Sequence, residues 1–308
     1  MKPRILITGG AGFIGSHIVE HFQGQAEIIV LDDFRTGFRR NLAGLDCRLM
    51  EGSILDDLAL AEAMQGVQRV FHLAAMISVP ESVQKPAECA ELNIEGTRRV
   101  LAAAAQAGVE KVLLASSAAI YGDNPLVPKL ESMPPEPKSP YAETKLAGEQ
   151  LLEEFQRAHG LATASLRFFN VFGPRQDPQS AYAAAVPIFI ARALRSEDIT
   201  IYGDGEQTRD FIYVKDIVGA LDFISQSPAS VGTYNVGYGR RLSIKSLAQE
   251  ILHLTDSKSV LRFLPGRPGD VMHSVASADK LSQTGWLPAY DVPGGLAATI
   301  RYFRSLNG

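Results

Sequence analysis

A doubly wound α/β fold, a parallel sheet with helices on both faces, is predicted by three features of the sequence. Short β-branched runs alternate with longer stretches of helical period, the runs are apolar on both faces, and a glycine-spaced turn directly follows the first of them. The runs are ILIT (5–8), EIIVLD (27–32), CRLMEG (47–52), RVFHLAA (69–75) and KVLLASS (111–117). Because each is apolar all round, each must be covered above and below, and the intervening helices are the only segments long enough to do so.

Beyond about Asn170 the alternation loosens, with Pro174, Pro178, Pro187, Pro228, Pro265, Pro268 and Pro288 breaking the chain into shorter elements. This pattern predicts a smaller, interleaved α/β region. Residues 1–170 form the first domain, and RDFIYVKDIVGALDFI (209–224) reads as strand then helix, so that 209–226 returns to it. Residues 171–208 and 227–308 make up the second region.

The 308 residues are 46% apolar and 21% charged, enough to bury a large core, and carry a net charge of −4 without basic clusters. This argues against a nucleic-acid partner. Two cysteines, Cys47 and Cys89, stand apart from any histidine cluster, so neither a disulfide framework nor a metal site is expected. The apolar run at the amino terminus ends too early, at Gly9, for a signal peptide, and no stretch reaches membrane-spanning length. The expected location is therefore cytoplasmic.

TGGAGFIG (8–15) follows the first predicted strand and opens a helix. Gly9, Gly12 and Gly15 meet three separate needs: a tight turn, close approach of backbone to a diphosphate, and close packing of helix on strand. The exposed helix amino terminus then supplies N–H groups and a positive dipole to the anion. Asp32 ends the second strand about 20 residues later, the spacing at which a carboxylate receives the ribose hydroxyls and repels a 2′-phosphate. With Asp33 beside it, this favours NAD, although Arg35 nearby offers a phosphate partner.

Tyr141 and Lys145 lie four apart in a segment that starts at Ser139-Pro140 and reads as helix, so both fall on one face. A phenol becomes a usable base when an ammonium, and the positive nicotinamide ring, favour its ionised form. Ser117 ends the fifth strand, where open α/β sheets place ligands, and its hydroxyl is suited to holding a substrate oxygen. By itself each element is a common pattern; together they describe a redox centre.

The assembled motifs resemble those of the extended short-chain dehydrogenase/reductases, and among them the UDP-hexose 4-epimerases, over essentially the whole chain. The matching stretches include TGGAGFIGSH, FHLAA (71–75), ELNIEGT (91–97), SSAAIYGD (116–123), SPYAETK (139–145), RFFNVFGPRQ (167–176), GDGEQTRDFIYV (203–214), YNVG (234–237) and RPGDVMHS (267–274). The resemblance implies a Rossmann domain holding NAD tightly through Gly9, Gly12, Phe13, Ile14, Gly15, Asp32, Asp33, Leu73, Ala74, Ala75, Asn93, Tyr141 and Lys145. It implies a catalytic set of Ser117, Tyr141 and Lys145, and a UDP-sugar held by Ser117, Asn170, Arg209, Arg267, Asp270 and Ser274. Asn170, Arg209 and Arg267 would bind the diphosphate or nucleotide, and Asp270 the ribose.

Ala118 and Ala119 stand where related dehydratases and decarboxylases carry an acidic residue, which favours simple C4 oxidation and reduction over elimination. Ser274 resembles the size gate of the sugar pocket; its small side chain leaves room for an acetamido group and leans toward UDP-GlcNAc and UDP-GalNAc, with UDP-glucose and UDP-galactose also open. EGSIL (51–55) has Ser53 where the family usually has an Asp beside the adenine. Helices near 87–107 and 140–158 correspond to those the family uses to form a homodimer. Two alternatives stay open: another NAD-dependent enzyme on nucleotide sugars (a UDP-glucuronate epimerase, dehydratase or decarboxylase), and a non-catalytic NAD-binding sensor.

Overall fold

In a computed structural model, residues 2–179, 184–266 and 271–306 are described. The first six strands are β1 (Arg4–Thr8), β2 (Glu27–Asp32), β3 (Arg48–Glu51), β4 (Arg69–His72), β5 (Lys111–Ser117) and β6 (Ala162–Phe168), the first five at the runs that the sequence marks and β6 in a stretch that it does not. With strand Gly232–Val236 they form a seven-stranded sheet ordered (232–236)-β6-β5-β4-β1-β2-β3, in which β1 through β6 pair in parallel. From β1 the chain builds outward through β2 and β3, then crosses back to lay β4, β5 and β6 on the other side. That reversal makes the carboxyl ends of β1 and β4 the natural ligand crevice.

The helices of this half are α1 (Phe13–His21), α2 (Asp57–Ala63), α3 (Val79–Gln84), α4 (Pro86–Ala90), α5 (Gly96–Ala107) and α6 (Pro140–His159). Leu60 and Met64, Leu101 and Ala104, and Leu151 and Phe155 of the α2, α5 and α6 stretches close over Leu6, Leu31, Val70, Val112 and Leu114 of the sheet. Between α4 and α5 the helix widens into a π turn over Glu91–Glu95, which the period of the sequence does not reveal. Such turns recur at functional sites because they re-aim one side chain; here it is Asn93.

Two compact units result: residues 1–122, 134–168 and 218–234 in the first, and 123–133, 169–217 and 235–308 in the second. The division differs from the pattern-based expectation at two places. The returning segment is 218–234 rather than 209–226, because 232–236 adds a strand beside β6. Residues 123–133 group with the second unit, where buried Lys129 donates its N–H to the Val275 carbonyl (2.7 Å) and accepts from Asn235 Nδ2 (2.8 Å). Among the described residues no helix is long and apolar enough to cross a membrane.

In the second unit, Asp216 receives the N–H groups of Ala289 (2.7 Å) and Tyr290 (3.3 Å) on one oxygen, while its other oxygen is buried without a partner among the described residues. Burial lifts its carboxyl to about 6, against the pull of those two N–H groups. A carboxyl whose folded-state value lies above its unfolded value stabilises the fold when protonated, and that stability is lost as pH rises through about 6. Relative to Asp216→Asn, the wild type should therefore lose about 1 kcal/mol between roughly pH 5 and 7.5. Paired denaturant titrations at both pH values check this; a pH-independent difference would refute it.

Candidate active site

The glycine turn is built as its spacing requires. Gly9 has φ +71°, and a Cβ there would lie 2.7 Å from the Ala74 nitrogen, so a side chain is excluded by conformation and by space alike. A Cβ on Gly15 would collide with the Gly9 carbonyl oxygen, which is how closely α1 returns over the turn. Gly12 caps α1 and brings no side chain to its amino end. Phe13 and Ile14 are the first residues of that helix, whose first-turn N–H groups and dipole are thus available to an anion. The donor set fits the diphosphate of a dinucleotide.

Asp32 is buried at the end of β2, where Oδ2 accepts the Ala11 N–H (2.8 Å) and Oδ1 the Phe34 N–H (2.8 Å). These bonds fix the carboxylate beside the turn, and each oxygen keeps a lone pair for a ribose hydroxyl. Burial nevertheless raises its pKa, against the pull of the two N–H groups. Asp33 accepts the Arg35 N–H at 3.1 Å. The Arg35 guanidinium is itself engaged by Glu81 and Glu88 (2.9 and 2.6 Å), so it is not set aside for a 2′-phosphate. Leu73, Ala74 and Ala75 leave β4 beside Gly9, and the Leu73 N–H donates to the Thr8 carbonyl at 3.1 Å. Ser53 accepts the Leu55 N–H at 3.2 Å in the turn before α2.

α6 forms because Ser139 caps it, accepting the Ala142 N–H at 3.2 Å, and Pro140 starts its first turn. Tyr141 and Lys145 follow on one face, with the ammonium 5.7 Å from the centre of the phenol ring. Lys145 is buried and donates to the Ala115 carbonyl of β5 at 2.9 Å; burial lowers it to about 8. Tyr141 moves the other way. Removal from water raises the phenol above its usual value, and the neighbouring Ser117 hydroxyl pulls it back only in part. Burial thus works against the ionised phenol, in line with the expectation that the positive nicotinamide ring is needed beside Lys145 to favour it.

Several supports escape a reading of motifs. The Ser82 hydroxyl of α3 is fully buried and accepts the Tyr141 N–H at 3.1 Å, tying down the helix end that carries the phenol. Asn93 turns inward from the π turn: its Oδ1 accepts the Met76 N–H (2.7 Å) and its Nδ2 donates to the Met76 carbonyl (3.0 Å) and to Thr144 (2.9 Å). It thereby joins the loop after β4 to α6. His72 is neutral, lowered to about 3 by burial and then by Lys145. Because the Thr97 hydroxyl donates to the Asn93 carbonyl (2.6 Å), it must accept from His72 Nε2 (3.0 Å), leaving Nδ1 to accept from Thr8 (2.7 Å). Beneath Ser117, Arg167 grips Glu149 through two bonds (2.9 and 2.7 Å), and Ser116 donates to the same carboxylate at 2.5 Å. Glu149 lies one turn past Lys145, so the run Tyr141, Lys145, Glu149 was the signal available in the sequence.

The second unit carries Asn170, Arg209 and Ser274. Arg209 and Ser274 face each other in register across the parallel strands Thr208–Arg209 and His273–Ser274. Asn170 donates to the Asp210 carbonyl through both its N–H (3.0 Å) and Nδ2 (3.1 Å). Buried Asp210 organises these segments, accepting the N–H groups of Tyr238, Gly239 and Ala276 at 2.8–3.0 Å. Arg267 and Asp270 lie outside the described residues.

Residues 5–237 match the model of the NAD dependent epimerase/dehydratase family. A UDP-glucose 4-epimerase of Mycolicibacterium smegmatis is 37% identical over 311 residues, covering 98% of this chain and 99% of that protein. A UDP-N-acetylglucosamine 4-epimerase from Methanobrevibacter ruminantium, solved with UDP-N-acetylmuramic acid, superposes with TM-score 0.96 at 38% identity, covering 99% of this chain and 100% of that one. The UDP-glucose 4-epimerase of Thermus thermophilus, solved with NAD, gives TM-score 0.90 at 37% identity over 98% and 99% of the two chains. With the glycine turn, the strand-end aspartate and the Tyr141–Lys145 face all in place on a doubly wound sheet, the chain belongs to the NAD dependent epimerase/dehydratase family.

Proposed function

We propose that this chain is an NAD-dependent 4-epimerase of UDP-hexoses. The observation that carries the reading is the convergence of Ser117, Tyr141 and Lys145 at the carboxyl edge of a sheet whose first turn is built for a dinucleotide diphosphate. The relatives act in the same sense, being named UDP-glucose and UDP-N-acetylglucosamine 4-epimerases.

Gly9, Gly12, Gly15 and the first turn of α1 would hold the NAD diphosphate, and Asp32 the adenosine ribose. Bound there, NAD supplies the acceptor for the C4 hydride, the donor that restores it, and the positive ring charge that the phenol needs. Tyr141 takes the proton of the sugar 4-hydroxyl and later returns it, while Ser117 holds the oxygen between them. Lys145 contributes its charge from the next turn, anchored by the Ala115 carbonyl. A 4-keto sugar results, and its return to the alcohol from the opposite face inverts C4. Arg209 with Asn170, and Arg267 with Asp270, would anchor the UDP part while the sugar turns, since guanidinium groups pair with phosphate oxygens through two bonds. Ala118 and Ala119 have no titratable side chain, so elimination has no acid or base at those positions.

Ser274, beside Arg209 in register, supports a preference for UDP-GlcNAc and UDP-GalNAc over the unsubstituted hexoses. Ser274→Tyr should lower kcat/KM for UDP-GlcNAc by roughly 10- to 200-fold more than for UDP-glucose; equal losses would remove the gate. α5 and α6 are the helices through which the chain would form a homodimer, a state that light scattering measures. Incubation with UDP-glucose, UDP-GlcNAc or their uronic acids, without added NAD and followed by the anomeric NMR signals, tests the whole assignment. Interconversion of C4 epimers is expected, and its absence for every UDP-hexose would overturn the reading.

A further inference from the structure

In the sheet order β4-β1-β2, the segments that leave β2 and β4 emerge on either side of the glycine turn. On the β2 side, Phe38 N–H and Asn41 Nδ2 both donate to the Ala11 carbonyl (3.0 and 2.9 Å), so residues 34–41 are held against the turn. On the β4 side, the backbone of Ala74 touches Gly9.

Arg35 joins the two sides. Its Nη2 meets Glu81 of α3 at 2.9 Å and its Nη1 meets Glu88 of α4 at 2.6 Å. Lys85 stands 3.7 and 3.5 Å from the same two carboxylates, so that two cations face two anions. The Arg35 and Glu81 side chains are each 26% exposed, while Glu88 and Lys85 are 43% and 53% exposed, so the Arg35–Glu81 bond is the shielded one of the cluster. A planar guanidinium divided between two carboxylates on different helices defines a span, which a single flexible pair does not. The far end is firmly mounted, because Ser82, next to Glu81, is the buried residue bonded to the Tyr141 N–H.

We propose that the bonds of Arg35 to Glu81 and Glu88 form an ionic strap across the mouth of the cofactor site that retains the dinucleotide between turnovers. The inference rests on the reading of the glycine turn as an NAD site. A nucleotide lying along that turn with its ribose at Asp32 occupies the edge from which both anchored segments rise, and its departure requires Arg35 to release α3 and α4. An enzyme that leaves its cofactor unchanged overall gains from such retention, since loss of reduced NAD in mid-reaction would strand the keto sugar.

The test uses the full-length protein loaded with NAD, and measures how fast bound NAD exchanges with an excess of isotopically labelled NAD. Arg35→Gln and the double variant Glu81→Gln/Glu88→Gln should each exchange roughly tenfold faster than wild type, the loss expected for two half-exposed charged bonds. At about 1 M salt, where the screening length falls to roughly 3 Å, the wild type should accelerate more than either variant. Should Arg35→Gln prove unstable, the double carboxylate variant, which leaves Arg35 in place, carries the test. Exchange rates equal to wild type in the variants would overturn the strap and leave the cofactor site standing. A wild type that binds no NAD at millimolar concentration would remove the site, and the strap with it.

Discussion

Tyr141→Phe is expected to cut turnover roughly 10²- to 10⁴-fold, the range for loss of a positioned acid–base group, while bound NAD is retained. Only the hydroxyl disappears. The ring still packs against the Lys145 ammonium, the Tyr141 N–H still reaches Ser82, and Ser139 still caps α6, so the helix should keep its place. Turnover and bound NAD per chain are measured on the same preparation. Undiminished turnover with full cofactor would reject Tyr141 as the proton carrier. Loss of cofactor along with activity would mean that the hydroxyl supports binding rather than proton transfer.

Glu149→Ala is expected to cost about 3–5 kcal/mol of unfolding free energy, the largest stability effect foreseen for a single substitution here. Both side chains of the Arg167–Glu149 pair are 5% exposed, so the variant leaves a guanidinium in the interior without its counter-charge. Ser116 loses its acceptor as well, and Arg167, which packs 4.9 Å from the Tyr121 ring centre, loses its orientation. Because Ser116 adjoins Ser117, activity should fall further than stability alone explains. Replacing both partners by apolar residues, Glu149→Leu with Arg167→Met, should be less costly than Glu149→Ala, since no isolated charge is then buried. Denaturant titration of these variants against wild type checks this, and a loss under about 1 kcal/mol for Glu149→Ala would contradict it.

Much of the chemistry was legible because it depends on local spacing. The glycines at 9, 12 and 15 and the carboxylate at 32 meet demands of one turn and one strand end, and the Tyr141–Lys145 pair needs only a helix that Ser139 and Pro140 start. What was missed depends on residues distant in the chain. Nothing near Ser82 in the sequence points to the N–H of Tyr141, 59 positions later. Arg35 reads locally as a potential phosphate partner, and only packing assigns it to Glu81 and Glu88. The electrostatic balance was equally hidden, since spacing shows that Lys145 is near Tyr141 but not that burial raises the phenol and lowers the ammonium.

By itself the sequence determined the class of fold, the course of the first five strands, the glycine turn after the first of them and the placing of Tyr141 and Lys145 on one helix face. These follow from periodicity and from short-range steric demands that hold wherever the segment is placed. Only the tertiary structure decided which charges are paired, which histidine tautomer is present, where the chain passes between its two units, and in which direction each titrating group moves. Those properties are set by burial and by partners brought together from remote parts of the chain, and no local pattern encodes them.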